Sequence, residues 1–542
     1  MWPSKNKGED ARLYQAVQAV SEFAIALGIN IPTGKDSLSM TQKYPDNEVV
    51  YSPGTVIISA VAEAGDITKT VYPVLAPVAN TSLLYIDFSQ DTLKLGGSAL
   101  SQVMNRIGGD VPSALDAVHF AKAFAAMQQL ITANQILAGH DVSAGGLITA
   151  LLELCFAEPA VGLSVNVESL GNDLVKVLFS ENPAVLIQVK DEKAAVKALK
   201  AADVPFLVLG KVTTERSMTV SHAGKQLSFD INKLRDFWYK TSFLLDAKQR
   251  SLVHAEKRYA NYKHQALEYV FPAKFDGKFG TFGIDPLRRK PSGVKAAIVR
   301  EKGVNGDREM AYALYLAGFD VKDVHMTDLV AGREDFSDVN MIVFVGGFSN
   351  SDVLGSAKGW AGAFLYNPRA KEALDNFYKR PDTLSLGVCN GCQLMMELGL
   401  LYPKWTNHPH MHHNGSRKFE STFLNVTIPQ NNSVLLQSMA GARLGVWVAH
   451  GEGRFSLPED KSQFQIAALY SQSEYPGNPN ESDFAVAALA SHDGRHLAIM
   501  PHLERSLFPW NWGYYPRERK TDSISPWIEP FVNARAWVVI HS

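Results

Sequence analysis

Hydrophobic residues recur over Asp10–Leu27 at Leu13, Ala16, Val17, Val20, Phe23, Ala24 and Leu27. That i, i+3, i+4, i+7 spacing predicts a helix with one apolar face. A loop punctuated by Pro32 and Gly34 follows, and the β-branched run Thr55–Val61 predicts a strand. Apolar runs at Ser82–Phe88, Ala184–Val189 and Phe206–Val212 predict further strands, alternating with helices and with glycine loops at Gly96-Gly97-Ser98 and Gly145-Gly146. This stretch reads as α+β or α/β and closes near residue 230.

Over 231–292 the periodicity fades and aromatic and charged residues mix, as in Arg235-Asp236-Phe237-Trp238-Tyr239-Lys240. A helical connector and then an extended segment, Phe271–Pro291, are expected there. From 293 onward strands and helices alternate. The strand Ala296–Val299 leads to a helix capped by Asp307, with Met310, Ala313, Leu314 and Ala317 inward. Strands at Val321–His325 and Asn340–Val345, one helix over Gly359–Tyr378 and the strand Leu384–Val388 follow. Such alternation predicts a parallel, doubly wound sheet, with active residues at the carboxyl ends of its strands.

Composition narrows the class. A chain of 542 residues is too long for one core. Its 53 Lys+Arg against 55 Asp+Glu leave a net charge of −2, which speaks against nucleic-acid or membrane-surface binding. The three cysteines, Cys155, Cys389 and Cys392, are too few for a disulfide framework and suit a reducing, cytosolic compartment. No apolar run approaches the ~18 residues of a membrane span, and the start lacks a signal-peptide layout.

Gly387-Val388-Cys389-Asn390-Gly391 is a glycine–nucleophile–glycine elbow between a strand and a helix, with Cys where hydrolases place Ser. The glycines relieve a sharp turn, and a helix N-terminus favours a thiolate at Cys389. The Asn390 N–H and a second donor from Gly346-Gly347, best Gly347, are placed for an oxyanion. A thiolate also needs a base and a group to orient it. Met500-Pro501-His502-Leu503-Glu504-Arg505 supplies both, since side chains two apart in extended chain share a face.

Blander readings of other motifs stand beside these. Cys389-x-x-Cys392 spells a dithiol, but a dithiol explains neither the flanking glycines nor the His502/Glu504 pair. Cys392 reads as a helix residue packed under the elbow, and Cys155 as core. His450, in His-Gly-Glu-Gly, fits pocket lining better than a base. The run His408–His413 has no acidic or cysteine partner at ligand spacing, so a solvated loop is expected. Lys35 and Ser37, in a glycine-led loop, suit a phosphate contact or a simple turn about equally.

Several motifs in order carry a resemblance. Arg300-Glu301-x-Gly303-Val304-Asn305-Gly306, Gly346-Gly347-Phe348-Ser349, Asp352-Val353-Leu354-Gly355 and residues 387–393 come first. Asn414-x-Ser416-Arg417-x-Phe419-Glu420, His450-Gly451-Glu452-Gly453-Arg454, Tyr475-Pro476-x-Asn478-Pro479-Asn480 and residues 500–505 complete the set. Together they resemble the triad-type (class I) glutaminase domain of the long-form phosphoribosylformylglycinamidine synthase family. Upstream, Gly34-Lys35-Asp36-Ser37-Leu38-Ser39-Met40 and His140-Asp141-x-Ser143-x-Gly145-Gly146 resemble the second aminoimidazole-ribonucleotide-synthetase-like half of the same family.

The resemblance implies partial synthetase-like α+β domains followed by a flavodoxin-like glutaminase domain. Expected divisions are 1–65, a remnant of an ATP-handling subdomain; 66–230, a second synthetase-like subdomain; 231–292, a connector; and 293–542, the glutaminase. It implies glutamine hydrolysis with Cys389 as nucleophile, His502 as base and Glu504 as orienter. Ammonia would then convert formylglycinamide ribonucleotide to the amidine in an ATP-driven purine-biosynthetic step. Asp141 would hold Mg²⁺ with the nucleotide and Ser143 would touch the nucleotide. Family members are more than twice as long, so a missing N-terminal half is the implied partner. Two residues depart from the family pattern: Leu503 where Pro is common, and Ala144 where an acidic residue often follows the Ser. The competing functions are a stand-alone cysteine hydrolase and an inactive scaffold fragment.

Overall fold

The computed structural model describes residues 1–458 and 460–541, which divide into two compact units, 1–239 and 240–542. The first unit is built on a seven-stranded sheet. Its strands run in the order Ile136–Val142, Ala184–Val189, Ser82–Asp87, Phe206–Thr213, Gly162–Asn166, Ser217–His222 and Lys225–Asp230. All neighbours are antiparallel except Gly162–Asn166 with Ser217–His222. The strand Ser82–Asp87 is an almost unbroken apolar run because both faces are covered. Leu83 and Tyr85 enter a core with Leu151, Leu154 and Leu186, while Leu84 and Ile86 enter another with Ala123, Leu130 and Leu199.

Two expectations for the N-terminal stretch change. Thr55–Val61 forms no strand: β-branched residues favour extended chain, but a strand exists only with a ladder partner, and none pairs with it among the described residues. The helix Glu9–Leu27 forms, capped by Gly28 at φ 70°, yet no residue on it is buried. Its apolar stripe is only half-buried, with Phe23 packed edge-on against Phe120 of the helix Ala117–Thr132, while Tyr14 and Ile25 off the stripe are 70% and 75% exposed.

The second unit holds a nine-stranded mixed sheet. Five strands are parallel, as the alternation predicts, in the order Asp320–His325, Lys295–Arg300, Met341–Phe344, Leu384–Val388 and His496–Ile499. Four antiparallel strands continue it: Val486–Ala490, Gln465–Tyr470, Glu420–Thr427 and Arg443–His450. Val343, Leu386 and Ile499, on adjacent central strands, are all buried, the burial pattern of a two-sided parallel sheet.

Local chemistry corrects three boundaries. Gly306, at φ 82°, caps the helix Asp307–Ala317, so Asp307 is its first residue and not its cap. The helix expected over Gly359–Tyr378 is two, Lys358–Tyr366 and Pro368–Lys379. Pro368 lacks the N–H to continue a helix and starts the second one, with the Asn367 side chain accepting from Ala370 N. The histidine run contains a short strand, His410–His412, paired with Arg454–Ser456. The connector is helical over Ile231–Gln249 and Leu252–Asn261, and the following stretch holds one 3-10 turn, Phe279–Phe282.

Candidate active site

The strand Leu384–Val388 ends at Cys389, which adopts φ 53° and ψ −106° and caps the helix Asn390–Glu397. A non-glycine residue in that region costs on the order of 1–3 kcal/mol, and such strain collects where a side chain must be presented. Flanking glycines make the turn possible. A Cβ on Gly391 would lie 2.0 Å from the Phe344 carbonyl oxygen, and one on Gly387 would lie 2.5 Å from that of Gly391. Cys389 is 4% exposed, and its thiol faces the Ala449 carbonyl at 3.7 Å.

Three residues expected to act together are adjacent. His502 is hydrogen-bonded to Cys389 and, through Nδ1, to Glu504 Oε1 at 2.7 Å. The route to this pair differs from the sequence expectation. The strand ends at Ile499, and Leu503–Arg505 is a 3-10 turn with His502 at its N-cap, so the pair does not meet across extended chain. Gly346 leaves room for the ring: a Cβ there would meet His502 Cε1 at 2.7 Å and Cys389 Cβ at 3.3 Å.

Burial alone would make His502 less basic, but the charges of Glu504 and of a Cys389 thiolate outweigh it and push the ring up to about 10. A charged imidazolium at His502 is the state this arrangement favours. Cys392 lies in the helix, fully buried, where burial foremost, with Cys389 beside it, holds its thiol well above the ordinary range. All three cysteines are free.

Asn390 is the first helical residue, so its N–H has no intrahelical partner. Gly347, at φ 121°, packs so closely on Val304 that a Cβ would lie 2.6 Å from its Cα. The Asn390 side chain accepts from Ser349 N at 3.2 Å, tying the Gly346–Ser349 loop to the elbow.

A cavity of about 220 Å³ opens beside Cys389. Phe348, Asp352, Gln393, Arg417, His450 and Glu452 are among the side chains lining it. Asn350, Ser351 and Asp352 all take positive φ at its edge. Burial pushes the Asp352 carboxyl above its ordinary range. Gln393 donates to the Glu452 carbonyl at 2.7 Å, and Asn414 clamps the far wall, donating to the His450 carbonyl at 2.7 Å while accepting from Gly453 N at 3.0 Å. Sequence reasoning gave Asp352, Glu452, Asn414 and Arg417 no roles, although each lies in a quoted motif.

Behind the Asn414–Glu420 loop sits a buried ionic cluster that spacing alone does not reveal. Glu420, 4% exposed, accepts from Arg250 at 2.8 Å, Arg258 at 3.0 Å, Ser416 at 2.5 Å and the Tyr475 hydroxyl. Arg258 comes from the helix Leu252–Asn261 and Arg250 from the turn just before it, both more than 150 residues away in sequence.

The expected nucleotide residues lie in the first unit and are not drawn into one cluster. Asp141 has a side chain 71% exposed, Ser143 is exposed, and Lys35 turns back on its own loop to Asp36 O at 2.7 Å and Ser37 Oγ at 3.1 Å. Glu181, missed in sequence, joins the two glycine loops by accepting from Ala99 N at 2.7 Å and Gly145 N at 2.8 Å. Among the described residues no three His, Cys, Asp or Glu side chains group as metal ligands. Asp141 alone does not make a Mg²⁺ site.

Residues 293–538 match the CobB/CobQ-like glutamine amidotransferase domain, residues 1–63 the FGAR-AT PurM_N-like domain, and residues 87–223 the AIR synthase related protein, C-terminal domain. A probable phosphoribosylformylglycinamidine synthase of Arabidopsis thaliana is 40% identical over 99% of this chain and 40% of its own length. The Homo sapiens phosphoribosylformylglycinamidine synthase is 39% identical over 99% of this chain and 42% of its own. A solved structure titled PurLQS, from Thermotoga maritima, covers 46% of this chain and 98% of its own at 22% identity and a TM-score of 0.35. The chain spans about two-fifths of the length of the curated relatives it matches. Along 99% of its residues it is similar to phosphoribosylformylglycinamidine synthases, and it matches a glutamine amidotransferase domain and an AIR-synthase-related C-terminal domain.

Proposed function

We propose that this chain hydrolyses glutamine at Cys389 and supplies the ammonia for ATP-driven amidation of formylglycinamide ribonucleotide in purine biosynthesis. The observation that carries the glutaminase is the buried Cys389–His502–Glu504 constellation, with a 2.7 Å His502–Glu504 bond, at the end of a strained strand-to-helix turn. Cys389 as thiolate attacks the side-chain carboxamide carbon. The Gly347 and Asn390 N–H groups receive the developing oxyanion. His502 returns its proton to the leaving nitrogen, ammonia departs, and water cleaves the thioester to glutamate.

The cavity's charges suit an amino acid. Of the charged groups in its lining, Asp352 and Glu452 suit the α-ammonium group and Arg417 the α-carboxylate. The synthetase chemistry rests on kinship with the longer enzymes, and Asp141, Ser143 and Lys35 remain the proposed nucleotide contacts, with Asp141 the proposed Mg²⁺ contact. We read 1–65 and 66–230 as synthetase-like parts, 231–292 as connector and 293–542 as glutaminase, completed by an N-terminal portion of the kind the relatives carry. Among the described residues no helix is long and apolar enough to cross a membrane. The free thiols fit a reducing, cytoplasmic setting.

Glutamate release by wild type and by Cys389→Ala, each with and without the remaining portion of the enzyme, tests this reading. Release confined to proteins with Cys389 supports it. No release from wild type even with that portion present refutes it.

A further inference from the structure

At the amino ends of the central strands the second unit keeps a polar group that the glutaminase does not use. His496 begins the strand His496–Ile499 and is 4% exposed. Its Nδ1 shares a bond with the Ser385 hydroxyl at 3.0 Å, and Ser385 in turn is bonded to the Tyr378 hydroxyl at 2.7 Å. Nε2 has no partner among the described residues, yet it is not sealed off. Burial pushes the ring down to about 3, so it is neutral and Nε2 can either donate or accept. A polar atom in so buried a side chain is completed by whatever enters beside it.

His496 lines a cavity of about 570 Å³. The strand it starts leads at its other end to His502, so this cavity lies at the opposite edge of the sheet from Cys389. Its walls are aromatic. Tyr378 packs on His496 with centroids 4.5 Å apart, Trp405 stacks on Tyr402 at 4.7 Å with 21° between the rings, and the exposed His492 meets both of these. Its charged lining is left basic. The carboxylates there are already matched, Asp375 by Lys371 at 2.6 Å and Asp493 by Arg495 at 2.8 Å. Lys379 and Lys404 have no acidic partner among the described residues, and Arg495 keeps its Nη2 unused.

We infer that this cavity binds a nucleoside monophosphate, its base among the aromatic rings and its phosphate at the lysines. The volume is that of a small-molecule site, and the lining is of the matching kind, apolar walls with a few polar groups to fix orientation. An aliphatic anion leaves the rings unused, and a neutral aromatic leaves the ammonium groups unused. A nucleobase offers a π face for stacking on the aromatic side chains, and its edge carries donors and acceptors that a neutral Nε2 can meet. A phosphate dianion suits two ammonium groups that no carboxylate neutralises. The site is separate from the glutaminase and does not depend on that reading. It is also distinct from the proposed nucleotide contacts Asp141, Ser143 and Lys35, which belong to the first unit.

Two measurements on the full chain test this. Photolabelling with 8-azidoadenosine 5′-monophosphate, followed by peptide mapping, locates the site, and isothermal titration with adenosine 5′-monophosphate measures it. We expect label on the peptides that carry Trp405 or His492. Trp405→Ala should raise Kd at least about 10-fold, the effect of losing one base stack, and Trp405→Leu serves if the alanine variant does not fold. Lys379→Glu combined with Lys404→Glu, both at exposed positions, should raise Kd by about as much. Adenosine and ribose 5-phosphate, each lacking one half of the ligand, should each bind at least about 10-fold more weakly than the nucleotide. Label confined to residues 1–239, a Kd unmoved by either set of substitutions, or no binding at about 1 mM nucleotide overturns the inference. Each of those results leaves the glutaminase reading standing, which glutamate release tests separately.

Discussion

His502 Nδ1 and Glu504 Oε1 lie 2.7 Å apart with the two residues only 2% and 3% exposed. A bond made in so dry a place does two things. It fixes the tautomer, leaving Nε2 for the Cys389 thiol, and it stabilises the ring once charged. Glu504→Gln keeps the shape and loses the charge. We expect kcat for glutamate release to fall on the order of 10³- to 10⁴-fold, with KM nearly constant, in steady-state assays of glutamate.

The same pair sets a pH dependence. The folded His502 is raised from 6.5 to about 10, so the folded state binds the proton more tightly than the unfolded chain does. This contribution to stability is fully present below the unfolded value near 6.5 and is lost as pH rises through about 10. Urea midpoints of wild type and Glu504→Gln should differ most at or below neutrality and converge towards pH 10. NMR titration should show His502 less basic in Glu504→Gln and also in Cys389→Ala.

The elbow predicts a steric result. Gly391→Ala puts a methyl 2.0 Å from the Phe344 carbonyl, a backbone atom on the neighbouring strand that has no room to yield. A loss of about 1–3 kcal/mol in folding stability is expected, measured by denaturant unfolding, together with reduced alkylation of Cys389 by iodoacetamide.

Glu420 predicts an effect at a distance. Glu420→Ala leaves Arg250 and Arg258 with Asp246 as their remaining carboxylate partner and frees Ser416, in the loop that presents Arg417 to the cavity. The loss in stability should stay below the about 3–5 kcal/mol of a buried charge stripped of its sole partner. Calorimetry should show a lowered Tm, and kinetics a raised KM for glutamine. A KM equal to wild type would dissociate the cluster from the loop.

Sequence carried the parallel half of the second unit well, because strands buried on both faces are continuous apolar runs with helices between them. The four antiparallel strands were less legible. Glu420–Thr427 and Arg443–His450 mix polar and apolar positions, and their partners are set by long-range register. Pro368 did mark the helix break, but an unbroken apolar period on either side masked it. At the site, Cys389 and its glycines are a local signal, and the two-residue spacing of His502 and Glu504 suggested their contact even though the chain bends into a 3-10 turn. Asn414, Arg258 and Glu181 act through partners tens to hundreds of residues distant, which no local pattern encodes.

Acid-quenched intact-mass and peptide mapping after mixing with glutamine tests the central claim most directly, using the chain completed by the remaining enzyme portion. The account predicts a γ-glutamyl adduct on the peptide containing Cys389, enriched in Glu504→Gln if thioester hydrolysis slows more than attack, and absent in Cys389→Ala. Glutamate release from wild type with the adduct on another residue, or undiminished in Cys389→Ala, would contradict it.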